Sequence, residues 1–246
     1  MNYSRRFHLD AKQTSSPSAK EMVPKVMQLV SPRSVVDVGC GTGAWLSEFQ
    51  TCGVREILGI DQGVELEDLL FPSDRFERID LSHPFRIARR FDLVICLEVA
   101  EHLPRDCAQA FIDSLVNLGP VILFSAAIPH QGGRHHVNEQ WPDYWAELFA
   151  RRGFVPVDCL RALFWANPKV AWWYAQNALI YVREDKLEDY RLLVPSGELR
   201  PLRLIHPCNY LSHADPSKQG VRVVLRALAV ALRNALVRRL PISGTM

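Results

Sequence analysis

The sequence predicts an α/β protein, a doubly wound, mostly parallel seven-stranded sheet with helices on both faces. Two patterns predict it. Short apolar runs alternate with amphipathic stretches between residues 35 and 182, which is the rhythm of βαβ units. Chemistry-bearing residues also fall just after those runs: a glycine turn after the first, Asp61 ending the second, and Glu98, Glu101 and His102 after the fourth. Ligands of an open α/β sheet bind at the carboxyl ends of its strands.

The elements follow in order. Residues 1–15 are polar and predict a mobile arm. Ser18-Ala19-Lys20-Glu21 has the form of a capping box, opening a helix with the stripe Met22, Val26, Met27, Leu29 and Val30. Ser31-Pro32 stops that helix, and residues 35–38 form the first strand. Beyond the glycines, Trp45, Leu46 and Phe49 give a second helix, ended by Cys52-Gly53. Residues 57–61, 76–80 and 91–97 are the next strands, and the unbroken apolar character of the third of these marks a central position. A helix over 108–118, a strand over 121–127, a Gly/His/Asn-rich loop over 129–140 and an aromatic helix over 141–152 follow. Strands over 154–160 and 170–182 complete the sheet, the latter carrying Trp172, Trp173 and Tyr174. Residues 185–218 read as an extended surface segment. Asp215-Pro216 then offers a cap and first-turn proline for a final helix over 221–240.

Composition narrows the class. The 246 residues are 48% hydrophobic and 23% charged, which suits one globular core with appendages. A net charge of +2 gives no strong nucleic-acid footprint. Six cysteines, at 40, 52, 96, 107, 159 and 208, form no C-x-x-C pair, the usage of a reducing compartment. Residues 1–20 hold no apolar run of a secretory leader. The expected location is cytoplasmic.

Gly39, Gly41 and Gly43 lack Cβ atoms, so the backbone can turn sharply and approach a ligand, with a helix N-terminus behind it for an anionic group. Asp61 is an acceptor-only side chain, suited to a diol that donates twice. The dinucleotide fingerprint G-x-G-x-x-G fails here at its third spacing. On a helical turn Glu98, Glu101 and His102 would share a face, and two carboxylates with an imidazole suit a divalent cation. A further ligand would come from the loop after the fifth strand, where His130, His135 and His136 lie. Two other readings stand beside the metal: His102 or His136 as a metal-free general base, or a turn that only packs.

The order of these pieces resembles the Rossmann-like (class I) S-adenosylmethionine-dependent methyltransferases over roughly residues 20–185. The resemblance implies the domains: an N-terminal arm and helix (1–30), a methyltransferase domain (31–184), the extended segment (185–218) and a C-terminal helix (219–246). It also implies cofactor roles. Asp37, Gly39, Gly41 and Gly43 would hold the methionine end, Asp61 the ribose hydroxyls, Asp80 and Leu81 the adenine, and Glu98 would orient the cofactor. The E-x-x-E-H run with a later histidine is similar to metal-dependent small-RNA 2′-O-methyltransferases, and its first half to ubiquinone-pathway O-methyltransferases. That likeness places a cation (magnesium, manganese or zinc) on Glu98, Glu101, His102 and His136, with Glu139 three residues beyond the last, and with His135 or His130 as substitutes. Ser125-Ala126-Ala127-Ile128-Pro129 departs from the proline-rich signature of the RNA enzymes, and no basic RNA surface is evident.

The run from His136 to Trp145 and the run from Trp173 to Asn177 resemble bacterial methyltransferases associated with polysaccharide and other glycan assembly. The expected activity is therefore metal-assisted O-methylation of a sugar hydroxyl on a glycan or glycosylated metabolite. RNA 3′-end 2′-O-methylation and small-molecule O-methylation are the alternatives. Residues 221–240 are mostly Val, Leu and Ala, with Arg222, Arg226 and Arg233 in one narrow stripe. The arginines interrupt any membrane span, so this helix is expected to meet a protein or lie at the inner membrane face.

Overall fold

The computed structural model of the protein describes residues 5–193, 202–214 and 219–239. Among these, seven strands form one sheet: β1 (Ser34–Val38), β2 (Glu56–Asp61), β3 (Phe76–Arg78), β4 (Leu93–Leu97), β5 (Val121–Ser125), β6 (Phe154–Val157) and β7 (Leu179–Arg183). Their order is β3-β2-β1-β4-β5-β7-β6. The first five run parallel, and β7 is antiparallel to both β5 and β6. The chain reverses its direction of travel across the sheet between β1 and β4, which opens a crevice at their carboxyl ends.

Six helices flank the sheet: α1 (Arg5–Val30), α2 (Ala44–Thr51), α3 (Ala108–Leu118), α4 (Pro142–Ala150), α5 (Arg161–Phe164) and α6 (Trp172–Asn177). Alternate residues of β4 serve opposite faces, as strand pleating requires. Leu93, Ile95 and Leu97 pack with side chains of α1, α2, α5 and α6. Val94 and Cys96 pack with Phe111, Ile112 and Leu115 of α3 and with Trp145 and Phe149 of α4. Burial on both faces explains why this strand reads as unbroken apolar sequence.

Three expectations need correction. The helix read from Ser18 extends back to Arg5, so residues 5–15 are helical and Ser18 is interior. Its hydroxyl donates to Thr14 O (2.8 Å) and accepts from Ala171 N (3.0 Å), while Glu21 accepts from Asn167 (3.0 Å); neither side chain caps a helix. Burial of Ala19, Met22, Val23 and Val26 decides the helix instead. The strand expected over 170–182 starts only at Leu179, because Trp172–Asn177 forms α6. Residues 185–218 are not uniformly extended: Glu184–Tyr190 is a 3-10 helix and Pro207–Ala214 is helix α7. Asp215 and Pro216 lie outside the described residues.

The chain divides into two compact units, Met1–Leu204 and Ile205–Met246. The second holds α7 and α8 (Val221–Arg239). No helix among the described residues is long and apolar enough to cross a membrane.

Candidate active site

The glycine turn joins β1 to α2 inside the crevice. Gly39 and Gly43 have φ of 83° and 81°, where side chains are strained. A Cβ would also overlap Val99 at the first and the Phe71 ring at the second. Gly39 and Cys40 donate their N–H groups to Ile60 O (2.7 and 3.1 Å). Asp61, ending β2, accepts from Gly41 N (2.9 Å) on one oxygen and Gly63 N (2.8 Å) on the other. Each oxygen keeps a second lone pair for a ligand diol. Beyond β3, the N–H and hydroxyl of Ser82 both bond Asp80 (3.0 and 2.7 Å) and hold its carboxyl below the usual range. Leu81 is buried beside it.

Asp37 is buried within β1, and its Oδ2 has no hydrogen-bond partner. Burial, and then the nearby Asp61 carboxylate, push its pKa up to about 8. An ammonium group placed there would favour the ionised carboxylate and oppose that rise.

The turn after β4 is built differently. Glu98 has φ of 55°, an uncommon conformation outside glycine, and its N–H donates to Ser125 O (3.0 Å). Its carboxylate accepts from Asn177 Nδ2 (3.1 Å) and Gln131 Nε2 (2.9 Å). The Gln131 carbonyl in turn accepts from Asn177 (2.8 Å) and Gln176 (3.1 Å). This amide cradle ties the turn after β4, the loop after β5 and the end of α6 together. Burial raises the Glu98 pKa against these hydrogen bonds.

A 3-10 turn over Ala100–His102 carries the next two residues. Glu101 has no exposed surface, and neither carboxylate oxygen is hydrogen-bonded. Burial, and then Glu98, push its pKa well above the carboxylate range. Its backbone carbonyl accepts from Val137 N (2.9 Å) and Asn138 N (3.0 Å). Those bonds draw the loop after β5 inward and set His136 edge-to-face on His102, ring centres 4.8 Å apart. Burial, and then His136, push the His102 pKa down to about 4, so its imidazole is neutral at pH 7.

Glu139 fixes the other ring. It accepts from His136 Nδ1 (2.9 Å), Gly132 N (3.0 Å) and His130 N (2.8 Å). Three donors converging on one side chain suit an acceptor-only carboxylate, and Nε2 is the His136 nitrogen that Glu139 does not engage. A Cβ on Gly133 would overlap that ring.

The structure therefore brings Glu101, His102 and His136 together, with a ligand atom from each within 4.8 Å of the others. Glu98, expected in the same metal set, stands outside this trio. The helical spacing rule fails because the turn starts at Ala100, and Glu98 is turned by its positive φ toward Gln131 and Asn177. His130 and His135, the expected substitutes, lie on the exposed loop at φ of 68° and 62°, also outside it.

One cavity of about 570 Å³ joins the glycine turn, Asp61, Asp80 and Leu81 to Glu98, Glu101, His102 and His136. Trp172 and Trp173 also line it, as do Lys12, Thr14 and Ser15 of α1. The α1 residues and Gln131 were missed in the sequence. For Gln131 and Asn177 the available signal was polar amides within otherwise apolar or glycine-rich runs.

A glycine turn, three strand-end carboxylates and an acid–imidazole cluster around one crevice define a Rossmann-like protein that holds a nucleoside cofactor beside a reaction centre. Residues 16–167 match the family described as a methyltransferase domain, and the chain belongs to that family, in the S-adenosylmethionine-dependent class. Over 107 residues it is 31% identical to the ubiquinone biosynthesis O-methyltransferase of Proteus mirabilis (strain HI4320), covering 38% of this chain and 41% of that one. The matched stretch thus spans less than half of that relative. Among solved structures, an amino pentose methyltransferase of Micromonospora echinaspora aligns with a TM-score of 0.53 at 14% identity, covering 74% of this chain and 98% of that one. The magnesium protoporphyrin IX methyltransferase of Synechocystis PCC 6803 aligns with a TM-score of 0.50 at 18% identity, covering 69% and 84%. These two likenesses are of fold.

Proposed function

We propose that the chain is a cytoplasmic O-methyltransferase, metal-assisted through Glu101, His102 and His136, acting on a sugar hydroxyl of a glycan or glycosylated metabolite. Glu101 carries this reading: a carboxylate with no exposure, whose two oxygens have no hydrogen-bond partner, beside a ligand nitrogen of each of two imidazoles, suits a cation. One carboxylate and two imidazoles fit manganese or zinc better than magnesium. Three protein ligands leave positions open for acceptor oxygens.

S-adenosylmethionine would supply the methyl group. Asp61 would accept the ribose hydroxyls, Asp37 would face the ammonium, and Asp80 and Leu81 would flank the adenine. Glu98, held by Gln131 and Asn177, would fix the methionine end. A divalent cation at the trio would supply Lewis acidity to the acceptor hydroxyl. Glu139 would hold His136 through Nδ1 and so leave Nε2 to the metal, and Trp172 and Trp173 offer apolar faces to a sugar ring. Alignment of the acceptor oxygen with the methyl carbon supplies the rest of the rate. Adjacent sugar hydroxyls suit a cation with open positions. The match to the Proteus enzyme of ubiquinone biosynthesis favours a small-molecule acceptor as a second reading.

Transfer of labelled methyl into fractionated host extract, with and without chelator, tests both. The expected result is label in glycan, lost on chelation and restored by manganese or zinc. Label in a small molecule selects the second reading, and chelator-resistant transfer removes the metal while keeping the cofactor site.

A further inference from the structure

We propose that α8 binds an anionic lipid surface. This inference does not depend on the acceptor chosen above. Helix α8 covers 19 residues, about 28 Å of helix, and its sequence VRVVLRALAVALRNALVRR has five arginines and no acidic residue. The whole chain carries a net charge of +2. Without those five arginines it would carry −3, so the positive character of the protein is concentrated on this one element. Such asymmetry marks a segment made for a negatively charged surface.

The apolar residues say which kind of surface. Val221, Val223, Leu225, Leu228, Val230 and Leu232 are each more than half exposed. Single exposed aliphatics are ordinary, but six on one helix are not, and four of them (Val221, Leu225, Leu228 and Leu232) share one arc. At 3.6 residues per turn, Arg222, Arg226 and Arg233 fall on one stripe, while Val221, Val224, Leu225, Leu228 and Leu232 share the neighbouring arc. A helix lying in the plane of a bilayer buries such an arc among acyl chains. Its arginines meanwhile reach the phosphates through their apolar stems. A nucleic acid would satisfy the arginines and leave the leucines in water. Among the described residues this helix is not long and apolar enough to cross a membrane.

The experiment uses the full chain and two kinds of vesicle, one of phosphatidylcholine alone and one with about a third phosphatidylglycerol, read by co-sedimentation. Binding to the anionic vesicles only, weakening as salt rises, is expected. Two triple variants separate the contributions: R222E/R226E/R233E and L225S/L228S/L232S. Each should weaken vesicle binding at least about tenfold, with melting temperature and S-adenosylmethionine affinity as controls of folding. Absence of binding to anionic vesicles overturns the proposal. So does a concentration-dependent dimer abolished by the leucine variant without any lipid binding, which would give α8 to a second copy of the chain. Tight RNA binding that survives the leucine variant overturns it as well.

Discussion

The two halves of the cavity are made in different ways. On the cofactor side, polar groups sit at the ends of β1 and β2 or just beyond β3, and the main chain fixes them: Gly41 and Gly63 hold Asp61 through their N–H groups. On the acid–imidazole side, side chains hold one another: Gln131 and Asn177 hold Glu98, and Glu139 holds His136. The second half also places Glu98, His130 and His135 at positive φ, which persists only where surroundings over-determine it. A backbone-built site keeps its shape when one side chain is lost, whereas a mutually held one comes apart. Cofactor binding and turnover should therefore separate under mutation.

The sharpest separation is expected from His136→Ala. It should lower kcat by about a thousandfold, with S-adenosylmethionine affinity within about twofold by calorimetry; full activity would remove His136 from the mechanism. Asp61→Ala should act in the opposite sense, weakening cofactor binding about a hundredfold through loss of charged hydrogen bonds. An unchanged dissociation constant would break the cofactor half of the comparison. Glu139→Gln places an amide among three N–H donors, and should cost about tenfold to a hundredfold in manganese affinity measured by paramagnetic resonance. Equal affinity in that variant would show that His136 is held by packing alone.

The smallest effect concerns pH. With its pKa raised to about 8, Asp37 is mostly protonated in the free protein at pH 7. If the S-adenosylmethionine ammonium lies beside Asp37 as proposed, it favours the ionised form, so binding should release up to about one proton at pH 7. Affinity should rise with pH up to about 8. Calorimetry in buffers of different ionisation enthalpy reads that proton, and Asp37→Asn should abolish it.

The placing of the glycine turn and of Asp61 at the strand ends was legible in the sequence because the geometry there demands particular residue types. Only glycine fits beside Val99 and Phe71 with positive φ, and Asp61 closes a strand whose period is plain. Less of the other half could be read. Glu98, Glu101 and His102 have helical spacing, yet the turn begins two residues after Glu98, and no local pattern marks that delay. The start of α1 was hidden by a Ser-x-x-Glu run whose hydroxyl instead accepts from Ala171, 153 residues away. Trp172–Asn177 satisfies strand composition as well as helix. Its one turn is settled by Gln176 and Asn177 reaching the distant Gln131.

The bonds from Val137 N and Asn138 N to the carbonyl of Glu101 bear on how this protein can diversify. Main-chain amides are supplied by every residue except proline, so that link does not inspect the side chains at 137 and 138. Val137, 55% exposed, can be exchanged for many others without moving His136. Inserting or deleting one residue between 136 and 138 would shift the histidine off its partners at once. At Val137, acceptor preference is free to drift by substitution, while a change of length would displace His136 from Glu139 and His102.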